Sequence, residues 1–381
     1  VYRVDYGETT FLAPSPLGLL TNIGDFSQGM ALQESSFAVS PVSGHYELPT
    51  IKRSKVDVQA TKAVCPFYKD GKHIFDVVFH VSDHDVAFKY KVYPQGNTLC
   101  CVVKDETTGF VLPQGTTTFL CPQSGPMGGF ARTSPSYETG YTVDNEMGKN
   151  GWGHGYTFPC LFRTGDKGWV LISETGVDSR YCTSRLMGKD GGLYTIGFPQ
   201  EGEYNGNGTT SPGISLPGET PWRTITVGQT LAPIVETTIP YDVVEPLYEP
   251  SRRYVYGRGT WSWILWQDNS INYDDQVRYI DMASAMGYEY TLIDNWWDNN
   301  IGHKRMEELI RYARSKGVEL FLWYSSSGYW NDIEQSPINI MDNSIARKRE
   351  MRWLQQQGVR GIKVDFFGGD KQETMRLYEA I

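Results

Sequence analysis

Long apolar runs and an excess of basic residues are both missing from this sequence. No stretch of 18 consecutive apolar residues occurs in the 381 residues, so the sequence predicts no transmembrane helix. Lys and Arg number 35 against 44 Asp and Glu, and no basic run is interleaved with aromatic residues. The resulting net charge of −9 argues against nucleic acid as a partner, because like charges repel.

Cysteine is also scarce. The six residues form no C-x-x-C pair and have no His at zinc spacing: Cys65, Cys100, Cys101, Cys121, Cys160 and Cys182. They predict buried free thiols or one or two disulfides in preference to a metal centre. No secretory leader is visible, and Val1 already lies in a segment that reads as folded, as expected if a leader or a tag has been removed.

The first part of the chain lacks any long segment with the 3.6-residue period of a helix. Short alternating runs recur instead, such as HIFDVVFHV (73–81) and DVAFKYKVY (85–93), with Gly, Pro, Asn and Asp between them. This pattern predicts an antiparallel β-sandwich or barrel. Three prolines in 240–254 indicate a linker, so we place one domain at 1–245 and a second at 246–381.

The second part alternates helical and strand patterns. Three helical segments each end at a glycine, where a left-handed conformation closes a helix, and a β-rich run follows each one: Gly287, Gly317 and Gly358. WSWILW (261–266) is predicted to supply an earlier strand. Alternation of this length predicts a parallel sheet. We expect the first half of a (β/α)₈ barrel, with an open Rossmann-like sheet as the alternative, although no G-x-G-x-x-G follows a strand.

Counting seven residues beyond each of these glycines reaches Asp294, Tyr324 and Asp365. In a (β/α)₈ barrel, such equivalent positions lie at the rim formed by the carboxyl ends of the strands, where catalytic groups are found. Only about four strands fit before Ile381, whereas a closed barrel of this type needs eight. We therefore expect the chain to be truncated.

The rim residues carry usable chemistry. In GIKVD, strand alternation places Lys363 on the same face as Asp365, and a nearby ammonium favours the ionised carboxylate that a nucleophile needs. A structural ion pair or a helix cap is the alternative. Asp294 is followed by Trp296 and Trp297, so a carboxylate and aromatic rings are available to hold a sugar; a loop that caps the next helix is the alternative.

Glycoside hydrolysis needs two carboxyl groups, and the sequence offers one strong candidate. Several segments of the sequence resemble glycoside hydrolase family 97. The resemblance rests on LISETG (171–176), YTLIDNWW (290–297), LFLWYSS (320–326) and, most specifically, GIKVDFF (361–367). It implies an N-terminal β-supersandwich joined to a (β/α)₈ catalytic barrel, in a bacterial protein that is periplasmic or secreted and depends on calcium.

Retaining members of that family, similar to α-galactosidases, carry a nucleophilic Asp where this sequence has Asp365. The resemblance therefore implies a retaining α-galactosidase that acts on oligosaccharides, with its acid/base Glu beyond Ile381. Glu174 matches a family Glu that helps hold Ca²⁺. An α-glucosidase using the same route and a non-catalytic carbohydrate-binding relative are the alternatives. The residues expected around the sugar are Lys363, Asp294, Trp296, Trp297 and Trp323.

Overall fold

The structure is a computed structural model that describes residues 1–126, 139–328, 330–331 and 333–381. The described residues form two compact units. The first comprises 1–126, 139–247 and 369–376, and the second comprises the rest of the described chain from 248 onward. The segment 369–376 thus packs with the first unit, although it follows most of the second in the chain. The predicted domain ranges, 1–245 and 246–381, stay a prediction.

The first unit is built from strands. Its described strands begin with β1 (Tyr2–Tyr6), β2 (Thr9–Ser15), β3 (Leu19–Thr21), β4 (Gly24–Asp25), β5 (Ala31–Leu32), β6 (Ala38–Glu47), β7 (Lys55–Lys69), β8 (Lys72–Val81), β9 (Asp85–Val92) and β10 (Cys100–Glu106). They continue with β11 (Gly109–Val111), β12 (Thr116–Pro122), β13 (Asn145–Glu146), β14 (Tyr156–Thr164), β15 (Trp169–Thr175), β16 (Arg185–Gly188), β17 (Leu193–Gly197), β18 (Gly213–Ser215), β19 (Gly218–Glu219) and β20 (Trp222–Gly228). Two short helices follow, α1 (Ala232–Glu236) and α2 (Ile239–Val243).

These strands form two sheets that share one apolar core. The larger sheet follows the order β1-β2-β11-β17-β16-β14-β15-β20-β9-β8-β7-β5, and the smaller follows β18-β10-β3-β4. Phe88 and Phe162 from the larger sheet and Leu19 and Val103 from the smaller one are fully buried in that core. Burial of large apolar side chains on strands that alternate in sequence stabilises this arrangement. The predicted mostly β first part is confirmed.

Two predicted strands occupy almost the residues expected of them. The strands β8 and β9 coincide with the alternating runs 73–81 and 85–93 and pair in an antiparallel manner. All six cysteines are free thiols, four of them buried, in agreement with the free-thiol alternative.

The second unit contains a parallel sheet with the order β21-β22-β23-β24. Its described elements are β21 (Gly259–Trp261), α3 (Trp263–Trp266), α4 (Tyr273–Ala285), β22 (Tyr290–Ile293), α5 (Trp297–Asn300), α6 (Gly302–Ser315), β23 (Glu319–Ser325), α7 (Ser344–Gln357) and β24 (Gly361–Asp365). The chain then continues into α8 (Gln372–Ala380). The predicted alternation of helix and strand is confirmed. The predicted strand at 261–266 is wrong, because β21 ends at Trp261 and α3 begins at Trp263.

The helices end where the sequence indicates. Gly287, Gly317 and Gly358 have φ values of 66°, 74° and 74°, the left-handed conformation that closes a helix most easily at glycine. The helix α6 buries a face at the expected spacing, formed by Met306, Leu309, Ile310 and Ala313. Among the described residues, no helix combines the length and the apolar character needed to cross a membrane.

The strand ladder of the second unit shifts regularly relative to these glycines. The third residue after Gly287 pairs with the second after Gly317, namely Tyr290 with Glu319. The fourth residue after Gly317 pairs with the third after Gly358, namely Phe321 with Gly361. Each step across the sheet therefore moves the pairing by one residue relative to these glycines.

Candidate active site

A lysine bridges two carboxylates at the carboxyl ends of the parallel strands. Asp294 directly follows β22, and Asp365 is the last residue of β24. The Nζ atom of Lys363 lies 3.2 Å from Oδ2 of Asp294 and 3.3 Å from Oδ2 of Asp365. Three residues that the sequence singled out thus meet in one cluster, since both strands end at the same edge of the sheet and Lys363 shares the face of Asp365.

Asp365 is held in place but remains accessible. Its Oδ1 atom accepts a hydrogen bond from the backbone N–H of Phe366 at 2.8 Å, and its Oδ2 atom accepts one from Nε1 of Trp323 at 3.2 Å. Its side chain is 38% exposed, whereas that of Asp294 is 4% exposed. Of the two carboxylates, Asp365 is therefore the one that a substrate can approach.

Asp294 is surrounded by donors. Oδ2 accepts from Nε1 of Trp261 at 2.7 Å and from Lys363, and Oδ1 accepts from the backbone N–H of Asn295 at 2.9 Å. A buried carboxylate with this many donors holds its neighbours in position. This placement favours a supporting role for Asp294 over the expected clamp on sugar hydroxyls.

Trp261, the last residue of β21, and Trp263, the first residue of α3, belong to the same cluster, although neither is among the residues that we expected around the sugar. The rings of Trp261 and Trp263 stack with centroids 5.7 Å apart and an interplanar angle of 16°. Nζ of Lys363 lies 4.5 Å from the Trp261 centroid and 5.9 Å from that of Trp263, within the range of cation–π attraction. The signal for them in the sequence is the concentration of tryptophans after residue 250, which suits stacking on sugars.

The tryptophans expected around the sugar have different surroundings. Trp297 is fully buried, and its ring stacks on Trp353 at 5.9 Å, so it packs in the core and presents no face to a sugar. Trp323 is 1% exposed and reaches the site through its Nε1 hydrogen bond to Asp365. Trp296 is partly exposed and remains available for a ligand. For Trp297 this corrects the expectation from sequence, because the side chain of the second residue in the Trp296–Trp297 pair points into the core.

The backbone is strained near both of the aspartates at the strand ends, Asp294 and Asp365. Trp296, two residues after Asp294, has φ 66°, and Phe366, next to Asp365, has φ 61°. Left-handed conformations at residues other than glycine cost about 1–3 kcal/mol and persist only where the surrounding structure enforces them. Such strain is concentrated at functional sites.

Polar atoms without partners lie at the ends of the same strands. Within the part of the chain that the structure describes, Oδ1 of Asn295 and the hydroxyls of Ser326 and Ser327 are buried and make no hydrogen bond. Leaving a buried polar atom unsatisfied costs about 1–3 kcal/mol. These atoms lie within two residues of the ends of β22 and β23, and a polar ligand or water would relieve that cost.

Family models match nearly the whole chain. The model described as "Glycosyl-hydrolase 97 N-terminal" matches residues 1–246, and the model "Glycoside hydrolase 97" matches residues 254–381. The chain belongs to glycoside hydrolase family 97. The resemblance to this family that was seen in the sequence is thereby confirmed.

A curated relative and a solved structure that resemble this chain carry names with different substrates. A "Probable retaining alpha-galactosidase" of Streptomyces bingchenggensis (strain BCW-1) is 29% identical over 399 residues, which cover 100% of this chain and 55% of that protein. A crystal structure of a β-arabinopyranosidase is 62% identical with a TM-score of 0.94, and covers 97% of this chain and 59% of that chain. The chain thus spans between half and two thirds of the length of these relatives.

The fold is also that of a more distant family 97 enzyme, from Pseudoalteromonas sp. strain K8, whose structure was solved in complex with panose. It is 18% identical with a TM-score of 0.75, and the match covers 98% of this chain and 59% of that chain. At this identity the likeness concerns the fold alone.

Glu174, which the resemblance predicts to help hold Ca²⁺, forms an ion pair with Arg223. It lies in β15, where its carboxylate accepts hydrogen bonds from Ser184 and from Nη1 of Arg223. Burial raises the pKa of Glu174, although Arg223 and Ser184 counteract this effect. Among the described residues, no three His, Cys, Asp or Glu side chains are grouped to hold a metal ion. These residues alone do not fit a calcium shell, so calcium dependence stays a prediction.

The first unit buries a second ion cluster. Nη2 of Arg185 lies 2.5 Å from Oε1 of Glu203 and 3.2 Å from Oδ2 of Asp370. Arg185 and Glu203 are 1% and 0% exposed. Burial, followed by the neighbouring Asp370 carboxylate, raises the pKa of Glu203 to about 7, although Arg185 lowers it.

This raised pKa predicts a loss of stability as the pH rises from acidic values through neutrality. The folded pKa lies above the ordinary value of 4.5, so the contribution of Glu203 is complete below pH 4.5 and is lost as the pH rises through 7. Between pH 5 and 8 we expect the free energy of unfolding to fall by about 2–3 kcal/mol more in the wild type than in Glu203→Gln. Urea titrations at several pH values measure this, with the exposed Glu201→Gln as control. Parallel curves for wild type and Glu203→Gln would refute the prediction.

Proposed function

We propose that this chain carries the nucleophile of a retaining glycosidase, Asp365, which acts on sugars with the ring configuration of an α-galactoside. The observation that carries the proposal is the accessible Asp365 carboxylate, held by Phe366, Trp323 and Lys363 at a strand end. A fixed carboxylate with a neighbouring cation suits attack on a sugar, because its position is set before the substrate binds.

The reaction takes two steps. An oxygen of Asp365 forms a bond to the anomeric carbon while the bond to the leaving oxygen breaks, and a carboxylic acid gives that oxygen a proton. Water then attacks the anomeric carbon, loses a proton to the same acid/base group and releases Asp365. We place the acid/base in a Glu beyond Ile381, as the resemblance implies. Two displacements retain the anomeric configuration.

The sugar that we propose first is a β-L-arabinopyranoside. A β-arabinopyranosidase is 62% identical to this chain, whereas the α-galactosidase relative is 29% identical. The two substrates share one ring configuration, since an α-D-galactopyranoside differs from a β-L-arabinopyranoside only by a hydroxymethyl group on C5. One site can therefore accept both, and the α-galactosidase activity predicted from sequence becomes the second candidate.

Matched aryl glycosides test the substrate. We expect kcat/KM of the full-length protein for a nitrophenyl β-L-arabinopyranoside to exceed that for the α-D-galactopyranoside on the order of tenfold, the discrimination that one small substituent supports. The α-D-glucopyranoside, with the opposite configuration at C4, serves as the control and should be hydrolysed most slowly. A higher value for the galactoside would restore the α-galactosidase assignment. No hydrolysis of any of the three would favour a carbohydrate-binding protein.

We propose in addition that β21 to β24 are four successive strands of a (β/α)₈ barrel. A barrel of eight strands with a shear number of 8 shifts by one residue per strand, which equals the shift in this ladder. With this shift, the equivalent residues Asp294 and Asp365 lie on one face of the sheet, and Tyr324, on the strand between them, lies on the other face. Layers of side chains contributed by alternate strands are typical of such barrels. All residues of β24 are only partly buried, as expected if a further strand of a longer chain pairs with it. A periplasmic or secreted location stays a prediction.

A further inference from the structure

Three consecutive side chains after β24 belong to the first unit and bind to separate loops of that unit. Lys371 is fully buried, and its Nζ atom donates to the backbone oxygens of Glu201 at 2.8 Å and Asn207 at 3.0 Å. Burial lowers the pKa of Lys371. A buried ammonium is unfavourable unless it is hydrogen-bonded, so this side chain is held closely by the two carbonyl groups.

Gln372 makes a similarly specific set of bonds and is 5% exposed. Its Nε2 atom donates to the carbonyl oxygens of Gly213 at 3.0 Å and Ser179 at 3.1 Å, and its Oε1 atom accepts from the N–H of Gly213 at 3.0 Å. The side chain thus mimics a paired backbone segment at the start of β18. It fixes both the position and the direction of the chain.

Asp370 is the remaining residue of the three that bind to loops of the first unit. Its backbone N–H donates to Oε2 of Glu203 at 2.7 Å, and its Oδ1 atom accepts from the hydroxyl of Thr183 at 2.9 Å. Its Oδ2 atom faces Arg185 of the buried ion cluster. We refer to Asp370, Lys371 and Gln372 together as the anchor.

The anchor lies a short distance along the chain from Asp365. Four residues separate Asp365 from Asp370, and the first of them is Phe366 with its left-handed φ of 61°. The N–H of Phe366 also donates to Oδ1 of Asp365. A strained conformation of this kind relaxes unless the chain on both sides is held. The strand β24 holds the chain before Phe366, the anchor holds it from four residues beyond, and the Phe366 ring packs against that of Trp323 with centroids 5.6 Å apart.

We infer that the anchor positions Asp365 for attack on the anomeric carbon, by keeping Phe366 in the conformation that directs its N–H to the carboxylate. The inference rests on the proposed function of Asp365. Lys371 and Gln372 are positioning residues, since they act through the chain and contact no substrate. Misplacement of a reacting group by about 1 Å can lower turnover on the order of 100-fold.

Lys371→Met tests the inference in the full-length protein, because it removes both hydrogen bonds and retains an apolar chain. We expect kcat for the aryl glycoside to fall about 10- to 100-fold and KM to change less than about twofold, at a temperature well below the Tm of the variant. Lys371→Arg should recover part of kcat. The matched control is Lys69→Met, since Lys69 also donates to two backbone oxygens of the first unit, those of Asp25 and Gln28. A lowered Tm with unchanged kcat would overturn the inference.

A second pair of variants covers the case in which Lys371→Met does not fold. Gln372→Met should lower kcat in the same way, whereas Gln95→Met should not, although Gln95 likewise donates to two backbone oxygens, those of His73 and Tyr93. Wild-type kcat in folded Gln372→Met would overturn the inference. Failure of the proposed function would give a different result. Normal turnover by an Asp365 variant would show that Asp365 is not the nucleophile, whatever the effect of the anchor variants.

Discussion

Asp365→Asn is expected to lower turnover of the preferred aryl glycoside at least on the order of 1,000-fold, because the amide cannot form the glycosyl–enzyme bond. The variant should fold normally, since Asp365 is 38% exposed and an amide oxygen can still accept the N–H of Phe366. Steady-state rates in the full-length protein measure the loss. Asp281→Asn is the control, a surface aspartate of the same unit that binds Tyr312 and Lys316.

Chemical rescue makes this test specific. In Asp365→Gly, azide can occupy the space of the carboxylate and attack the anomeric carbon, so turnover should recover in part and yield a glycosyl azide of inverted configuration. Normal turnover by Asp365→Asn would disprove the nucleophile assignment. Loss of activity in Asp365→Gly without a glycosyl azide would leave Asp365 essential but would contradict its role in forming the covalent bond.

Lys363→Met is expected to have the next largest effect, a fall in kcat/KM on the order of 100-fold. The substitution removes the only side chain shown to contact both Asp294 and Asp365 within the described residues, and Asp294 is too buried for water to compensate its charge. Repulsion between the two carboxylates would then displace Asp365. Lys363→Arg retains the positive charge and should recover part of the rate. Lys316→Met, which breaks an exposed pair with Asp281, is the matched control.

A double-mutant cycle tests whether the lysine acts through Asp294. Lys363 and Asp294 are in direct contact. The loss of transition-state stabilisation in the double variant, calculated from kcat/KM, should therefore be smaller than the sum of the losses in Lys363→Met and Asp294→Asn. Strict additivity would show that the two residues act independently. Wild-type kcat/KM in Lys363→Met would disprove charge compensation at this site.

Local patterns were reliable where a single element decides the outcome. Gly358 ends α7 because a left-handed residue is needed there, and Met306 faces the core because the period of α6 places it there. The alternation in GIKVD correctly placed Lys363 beside Asp365. The prediction of a strand at 261–266 was wrong because a short apolar run does not distinguish a strand from a helix.

What the sequence by itself determined is the alternation of helices and strands, the family and the position of Asp365 at a strand end, since each depends on residues that are close together in the chain. Only the tertiary structure decided which of the residues near the strand ends are buried and which are accessible. It buried Asp294 and Trp297, left Asp365 accessible and brought Trp261 from another strand against Lys363. It also placed Lys371 among first-unit loops more than 160 residues earlier in the chain. Burial and contacts over such separations depend on how elements pack, which no local pattern encodes.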